Sequence, residues 1–183
     1  MPIALTGGSM VYDQVNLFMG TQERYDWKLV GRKEMYIPYN NYNLTDNPSV
    51  ECALEQGKLL LPYHANPSCI RWELHRVWHV QGTLKEGKRH TIPKRDYYFD
   101  EDTYLAGIGD GYDKSGELYI VQWAHLQADY INHVPSAEAS FLNFDLNSGV
   151  YHYPQGQRAW VLDKPVGSFT GDNTHVFMLR APR

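Results

Sequence analysis

At 183 residues the chain suits a single domain, residues 1–183, with a substantial core. A net charge of −4 and a pI near 6.0 leave no basic footprint for nucleic acid, and no apolar run approaches the roughly 20 residues of a membrane-spanning helix. Aromatic residues make up 14% of the chain, 14 of them tyrosine, a composition that leans towards strands.

The start, MPIALTGGSMVYD, has neither the charged n-region nor the apolar h-region of an export signal. Two expectations follow: a cytosolic protein, or an exported one whose targeting segment lies outside this sequence. YDQVNLFMG reads as a short helix stopped at Gly20. Residues 26–38 alternate loosely and read as strand, turn at Gly31-Arg32-Lys33, strand. NNYNLTDNPS is turn and loop material. VECALEQGKLLL stays ambiguous, with Gly57 breaking any helix there.

CIRWELHRVWHVQGTL is clearer. Trp72, Leu74, Arg76, Trp78 and Val80 fall on one side of an extended chain, and Arg71, Glu73, His75, Val77 and His79 on the other. KEGKRH turns the chain and TIPKRDYYFDE returns, with Pro93 placing the return strand at an edge or opening it with a bulge. TYLAGIGDGY, LYIVQWAHLQ, SAEASFLNFDL, VYHYP, QRAWVLDKP and THVFMLRAP follow as short strands between turns. Such a series predicts an antiparallel meander, which at this strand number curls or closes.

The chemistry-bearing residues form no strong motif. His75 and His79 share a strand face but stand about 13 Å apart at roughly 3.3 Å per residue, too far for one metal ion. Gly107, Gly109 and Gly111 lack the helix that a phosphate-binding loop opens, and read as a bulge or a close backbone approach. Asp110, Asp113 and Glu117 do not match a calcium loop and read as a solvated turn. No G-x-S-x-G elbow occurs. The sequon at Asn43 carries meaning only in a eukaryotic secreted protein. Arg71, Glu73, Arg76, Arg95 and Asp96 suggest a cross-strand charge network without a defined catalytic dyad. Cys52 and Cys69, 17 positions apart, are either two core thiols or one disulfide in an oxidising compartment. The Tyr-rich residues 24–44 suit a sheet rim or a greasy mouth equally.

Four phrases, ERYDWKLVGRKEMYIPYNNYNL, RWELHRVWHVQGTLKEGKRH, KRDYYFDEDTY and DGYDKSGELY, resemble the bacterial family called domain of unknown function 1329. The resemblance covers residues 12–123 and weakens beyond. Family members are longer and carry an export signal. It therefore implies the C-terminal portion of an exported protein, in the periplasm or at the outer membrane. The family is similar to lipoprotein-sorting proteins of the carrier type, with an open half-barrel, a curved antiparallel sheet, a few short helices and a cavity for acyl chains. The resemblance implies no catalytic residue and no cofactor.

Two functions are expected on this basis. One is a periplasmic carrier for a lipid or other hydrophobic molecule; the other is an adaptor module for envelope transport proteins. An enzyme ranks below both. For the carrier, a concave apolar cavity is expected because large apolar sheet faces need a cover or a ligand. Its lining draws on Trp72, Leu74, Trp78 and Val80 of one strand. The second strand offers Leu118 and Ile120, or Tyr119, Val121 and Trp123, depending on its parity; the candidate set takes the latter.

Overall fold

The computed structural model describes residues 10–41, 52, 59–62, 64–129 and 134–153, with backbone alone for 127–129 and 134–140. The expected loop from Tyr42, most of VECALEQGKLLL, and the expected strands QRAWVLDKP and THVFMLRAP lie outside the described residues.

Among the described residues nine strands follow in chain order: β1 (Tyr25–Pro38), β2 (Leu60–Leu61), β3 (His64–Ala65), β4 (Trp72–Leu84), β5 (Lys94–Asp100), β6 (Ala106–Tyr112), β7 (Leu118–Asp129), β8 (Val134–Asp145) and β9 (Val150–His152). Seven of them form one antiparallel sheet in the order β1-β4-β5-β6-β7-β8-β9, and β2 and β3 form a small ribbon. The sheet does not close into a barrel. Helical structure among the described residues is confined to two 3-10 turns, Tyr12–Gln14 and Gln22–Arg24. The antiparallel β architecture expected from the alternation is observed, and the sheet is open and curved as the family resemblance implies.

Three local expectations change. Residues 26–38 are one strand rather than strand, turn, strand. Val30 is an extra residue between the pairs Leu29↔Val80 and Gly31↔His79, so the sequence break at Gly31 is a bulge. Gly31 has φ +154°, a conformation that side chains disfavour. The helix expected over YDQVNLFMG is only a 3-10 turn, because Asn16 and Leu17 take left-handed φ values of +46° and +64° and turn the chain back. Pro93 marks neither an edge nor a bulge: β5 lies inside the sheet, and Pro93 sits one residue before it, offering its carbonyl to the Leu84 N–H at 2.7 Å. A proline there needs no ladder donor.

The sheet curls strongly. Ile37 of β1 reaches over β4 and β5 to β6, where a Cβ on Gly107 would lie 3.0 Å from its own Cβ. Asn41, just past β1, donates its N–H to the Leu126 carbonyl of β7. The inner face so formed is filled by Ile37, Val77, Tyr98 and Ile108, with Trp72 and Trp123 packed edge to face at 4.9 Å. It continues through Ala65, Ile70, Leu142 and Phe144. Beside it Cys52 and Cys69 are bridged, their Cα atoms 5.4 Å apart and packed on Leu59. Trp72 was expected to share a face with Leu74, Trp78 and Val80. At the first residue of β4 the pleat no longer dictates direction, and its ring swings into the inner core instead.

Candidate functional site

The outer face carries Tyr97, Phe99, Ala106, Ala124 and Phe141, and it is covered by residues 10–24 running across it as a strap. The strap is fixed by polar contacts made before the chain enters β1. Gln14 accepts the Val11 N–H on its side-chain oxygen at 2.7 Å and donates its amide to Asn143 at 3.1 Å. Its carbonyl accepts Gln122 Nε2 at 2.6 Å. Asp13 receives Arg95 Nη2 at 2.9 Å and faces His90 Nε2 at 2.7 Å on the same oxygen.

Arg95 is the centre of this arrangement and is only 1% exposed. Its Nε donates to the Tyr25 hydroxyl at 3.0 Å and its Nη1 to the Tyr97 hydroxyl at 3.1 Å. The Phe18 and Tyr25 rings stand 5.3 and 5.4 Å from the guanidinium carbon. Burial works against the charge, but Tyr97, Tyr25 and Asp13 outweigh it and hold Arg95 above its ordinary range. Burial likewise pushes Asp13 up, and the His90 hydrogen bond and the Arg95 charge overcome it, leaving the carboxyl below the usual value.

Beyond this polar anchor the strap and the sheet flank an open groove of about 610 Å³. Leu17, Phe18, Trp27, Val80, Tyr97, Phe99, Leu105 and Ala106 form its apolar lining. Asn16, Gln22 and Tyr104 supply its polar groups; among the described residues that line it, none is charged. Two of the aromatic walls depend on glycine. Trp27 lies over its cross-strand partner Gly82, where a Cβ would meet the ring at 2.6 Å, and Tyr97 lies over its partner Gly109, where the distance would be 2.8 Å. Phe18 packs edge-on against both rings, 5.5 Å from Trp27 and 5.9 Å from Tyr97.

The inner face holds a second polar group of side chains. His79 Nε2 lies 3.0 Å from Asp96 Oδ1, at ion-pair distance but outside hydrogen-bond alignment. Gln81 donates to the same oxygen at 2.8 Å. Asp110 faces Asp96 across the strands; burial raises its carboxyl above the usual range, while burial and the neighbouring carboxylates push Tyr112 up to about 12. His75, Asp100 and Asp102 also bring ligand-type atoms within 4.8 Å of one another. There the two Asp100 oxygens accept from His75 Nδ1 and from the Thr103 amide and hydroxyl, so the visible role is to cap a turn.

Of the residues singled out in the sequence, Val80 lines the groove. Trp72, Val121 and Trp123 belong to the inner core. Leu74 is 57% exposed opposite Tyr36. Trp78 lies 4.9 Å beneath the Arg32 guanidinium, and Tyr119 donates its hydroxyl to the Thr91 carbonyl. The charge network also divides: Arg71 pairs with Glu73, Arg76 pairs with Glu101, and the neighbours Arg95 and Asp96 point to opposite faces. Sequence reasoning missed Leu17, Phe18, Trp27, Tyr97 and Phe99. The available signal was the alternation of Arg95, Tyr97 and Phe99 in KRDYYFD, on a strand whose partners carry glycine.

Residues 1–168 match the profile of a family described as protein of unknown function, DUF1329. The chain belongs to this family. An uncharacterized protein of Pseudomonas aeruginosa is 43% identical to this DUF1329 chain over 150 residues, which is 82% of the chain and 32% of that relative. The chain thus spans about a third of the length of the curated relative it matches. A Vibrio parahaemolyticus domain provisionally named an outer membrane lipoprotein-sorting protein superposes with a TM-score of 0.47 at 10% identity, over 86% of this chain and 52% of that one. A DUF1329 family protein of Desulfovibrio piger superposes with a TM-score of 0.41 at 13% identity, over 78% and 48%.

Proposed function

We propose that this DUF1329 chain binds a small hydrophobic molecule in the groove between the strap and β4–β6, as a carrier or accessory protein of the bacterial envelope. The observation that carries the reading is a groove of about 610 Å³ with no charged residue among the described residues that line it, inside the range of roughly 300–1,000 Å³ typical of small-molecule sites. Among the described residues the lining offers apolar surface, the Gln22 amide and the Tyr104 phenol, and no nucleophile paired with a base, so binding is the chemistry it supports. The Cys52–Cys69 bridge fits an oxidising compartment such as the periplasm. No described helix is long and apolar enough to cross a membrane.

Titration with Nile red, an uncharged dye that brightens in apolar surroundings, tests this reading. The wild-type chain should bind it saturably. Val80→Glu should abolish binding while the far-ultraviolet circular dichroism stays that of a folded sheet. Trp78→Glu, outside the groove, should bind as the wild type does. Absence of saturable binding by the wild type would favour the second reading, an adaptor module. That reading draws on the exposed Leu29, Val30 and Tyr36 of β1, with Leu74 opposite Tyr36.

A further inference from the structure

We propose that the groove selects an uncharged amphiphile with a single apolar body and rejects carboxylate and phosphate headgroups. The inference rests on the binding role proposed above and concerns the class of ligand. A carboxylate or phosphate drawn in against apolar walls loses hydration that only a cation or converging N–H donors replace. Arg95 is the cation packed behind the aromatic wall, and it is committed: each of its three nitrogens donates to a named oxygen, on Tyr25, Tyr97 and Asp13. Asp13 neutralises its charge, and His90 holds the same carboxylate oxygen.

Two groove walls also stand between Arg95 and the cavity. Phe18 lies over the guanidinium at 5.3 Å. The Tyr97 hydroxyl accepts from Arg95 and donates to the Leu17 carbonyl at 3.2 Å, so it is not available to a ligand. What the lining presents at Gln22 and Tyr104 are an amide and a phenol. These match the hydroxyl, ester or amide of a neutral head, since each partner can both donate and accept. The volume fits one small molecule rather than a lipid with several chains.

The test compares two quenchers with the same chain, a dibrominated stearic acid and its monoglyceride, at about pH 8, where the acid is ionised. Bromine in the groove quenches Trp27, which forms one wall, so Trp27→Phe should lose a large share of the quenching. The monoglyceride should half-quench the wild-type chain at a concentration at least about ten-fold below that of the acid. Equal or tighter binding of the ionised acid overturns the inference and leaves the carrier reading standing. Quenching by neither compound overturns the carrier reading and the inference with it. Phe18→Ala, checked for folding by circular dichroism, opens a path to Arg95 and should narrow the preference to within about three-fold. An unchanged preference overturns the shielding role of Phe18.

Discussion

At the scale of single residues, the arrangement around Arg95 is where a small change has the largest effect. Asp13 is 8% exposed, and removing it leaves a buried guanidinium without its counter-charge. Asp13→Ala should therefore destabilise the chain by about 3–5 kcal/mol in urea titration. Asp26→Ala provides the contrast, because its partner Lys85 stands 3.7 Å away, Asp26 is largely solvated and Lys85 partly so; that change should cost less than about 1 kcal/mol. Equal costs for the two would mean that the buried pair has no special role. Little of this could be read from the sequence. Asp13 and Arg95 are far apart in the chain, and a strand shows which residues share a face but not which distant loop covers them. The grouping of Arg95 with Asp96 failed for the same reason that alternation succeeds elsewhere: adjacent strand residues point apart.

At the scale of elements, legibility followed periodicity. β4 announced itself because its period of two runs for many residues without interruption. β1 was split in two because a glycine inside an alternating run reads equally as a turn or as a bulge. The decision between them came from β4, whose unbroken register holds β1 straight on either side of Val30. Gly31 has open space around it, so its φ of +154° is the constraint on replacement. Gly31→Val should cost about 1–3 kcal/mol through backbone strain alone, read as a lower urea midpoint with an unchanged slope. A neutral result would show that the bulge relaxes to a conformation that side chains accept.

For the whole molecule, acid stability adds up contributions of one sign and opposes them with another. Asp13 and Asp96 have lowered carboxyl values, so their stabilisation is present above about pH 4 and is lost as pH falls through the folded values. Asp110 is raised, so its contribution has the opposite sense, present at low pH and lost as pH rises through its folded value. His125 is fully buried, and burial pushes its imidazole down to about 3. It favours the folded state above its ordinary value near 6.5, and that advantage is lost progressively down to about 3. His152, lowered by burial, adds in the same sense. The urea midpoint should thus fall between about pH 6.5 and 4.5, ahead of the carboxylates, and His125→Phe should flatten most of that slope. An undiminished slope in the variant would assign it to other groups. The antiparallel sheet itself was legible from the strand series, which left open whether it curls or closes; the open form was implied by the family resemblance. The strap that creates the groove was not legible, because its path depends on Asn16 and Leu17 adopting φ values that no local pattern announces.

The ring of Tyr97 resting on Gly109 has a consequence for how relatives diverge. Any lineage that acquires a side chain at position 109 must displace that ring. Losing Tyr97 strips Arg95 of one acceptor and Leu17 of its hydroxyl donor. Positions 109, 97, 95 and 13 should therefore change together or not at all. An alignment of related sequences should show them as one covarying set, whereas Asp96, the chain neighbour of Arg95 and Tyr97, should drift with the inner-face residues His79 and Gln81 instead.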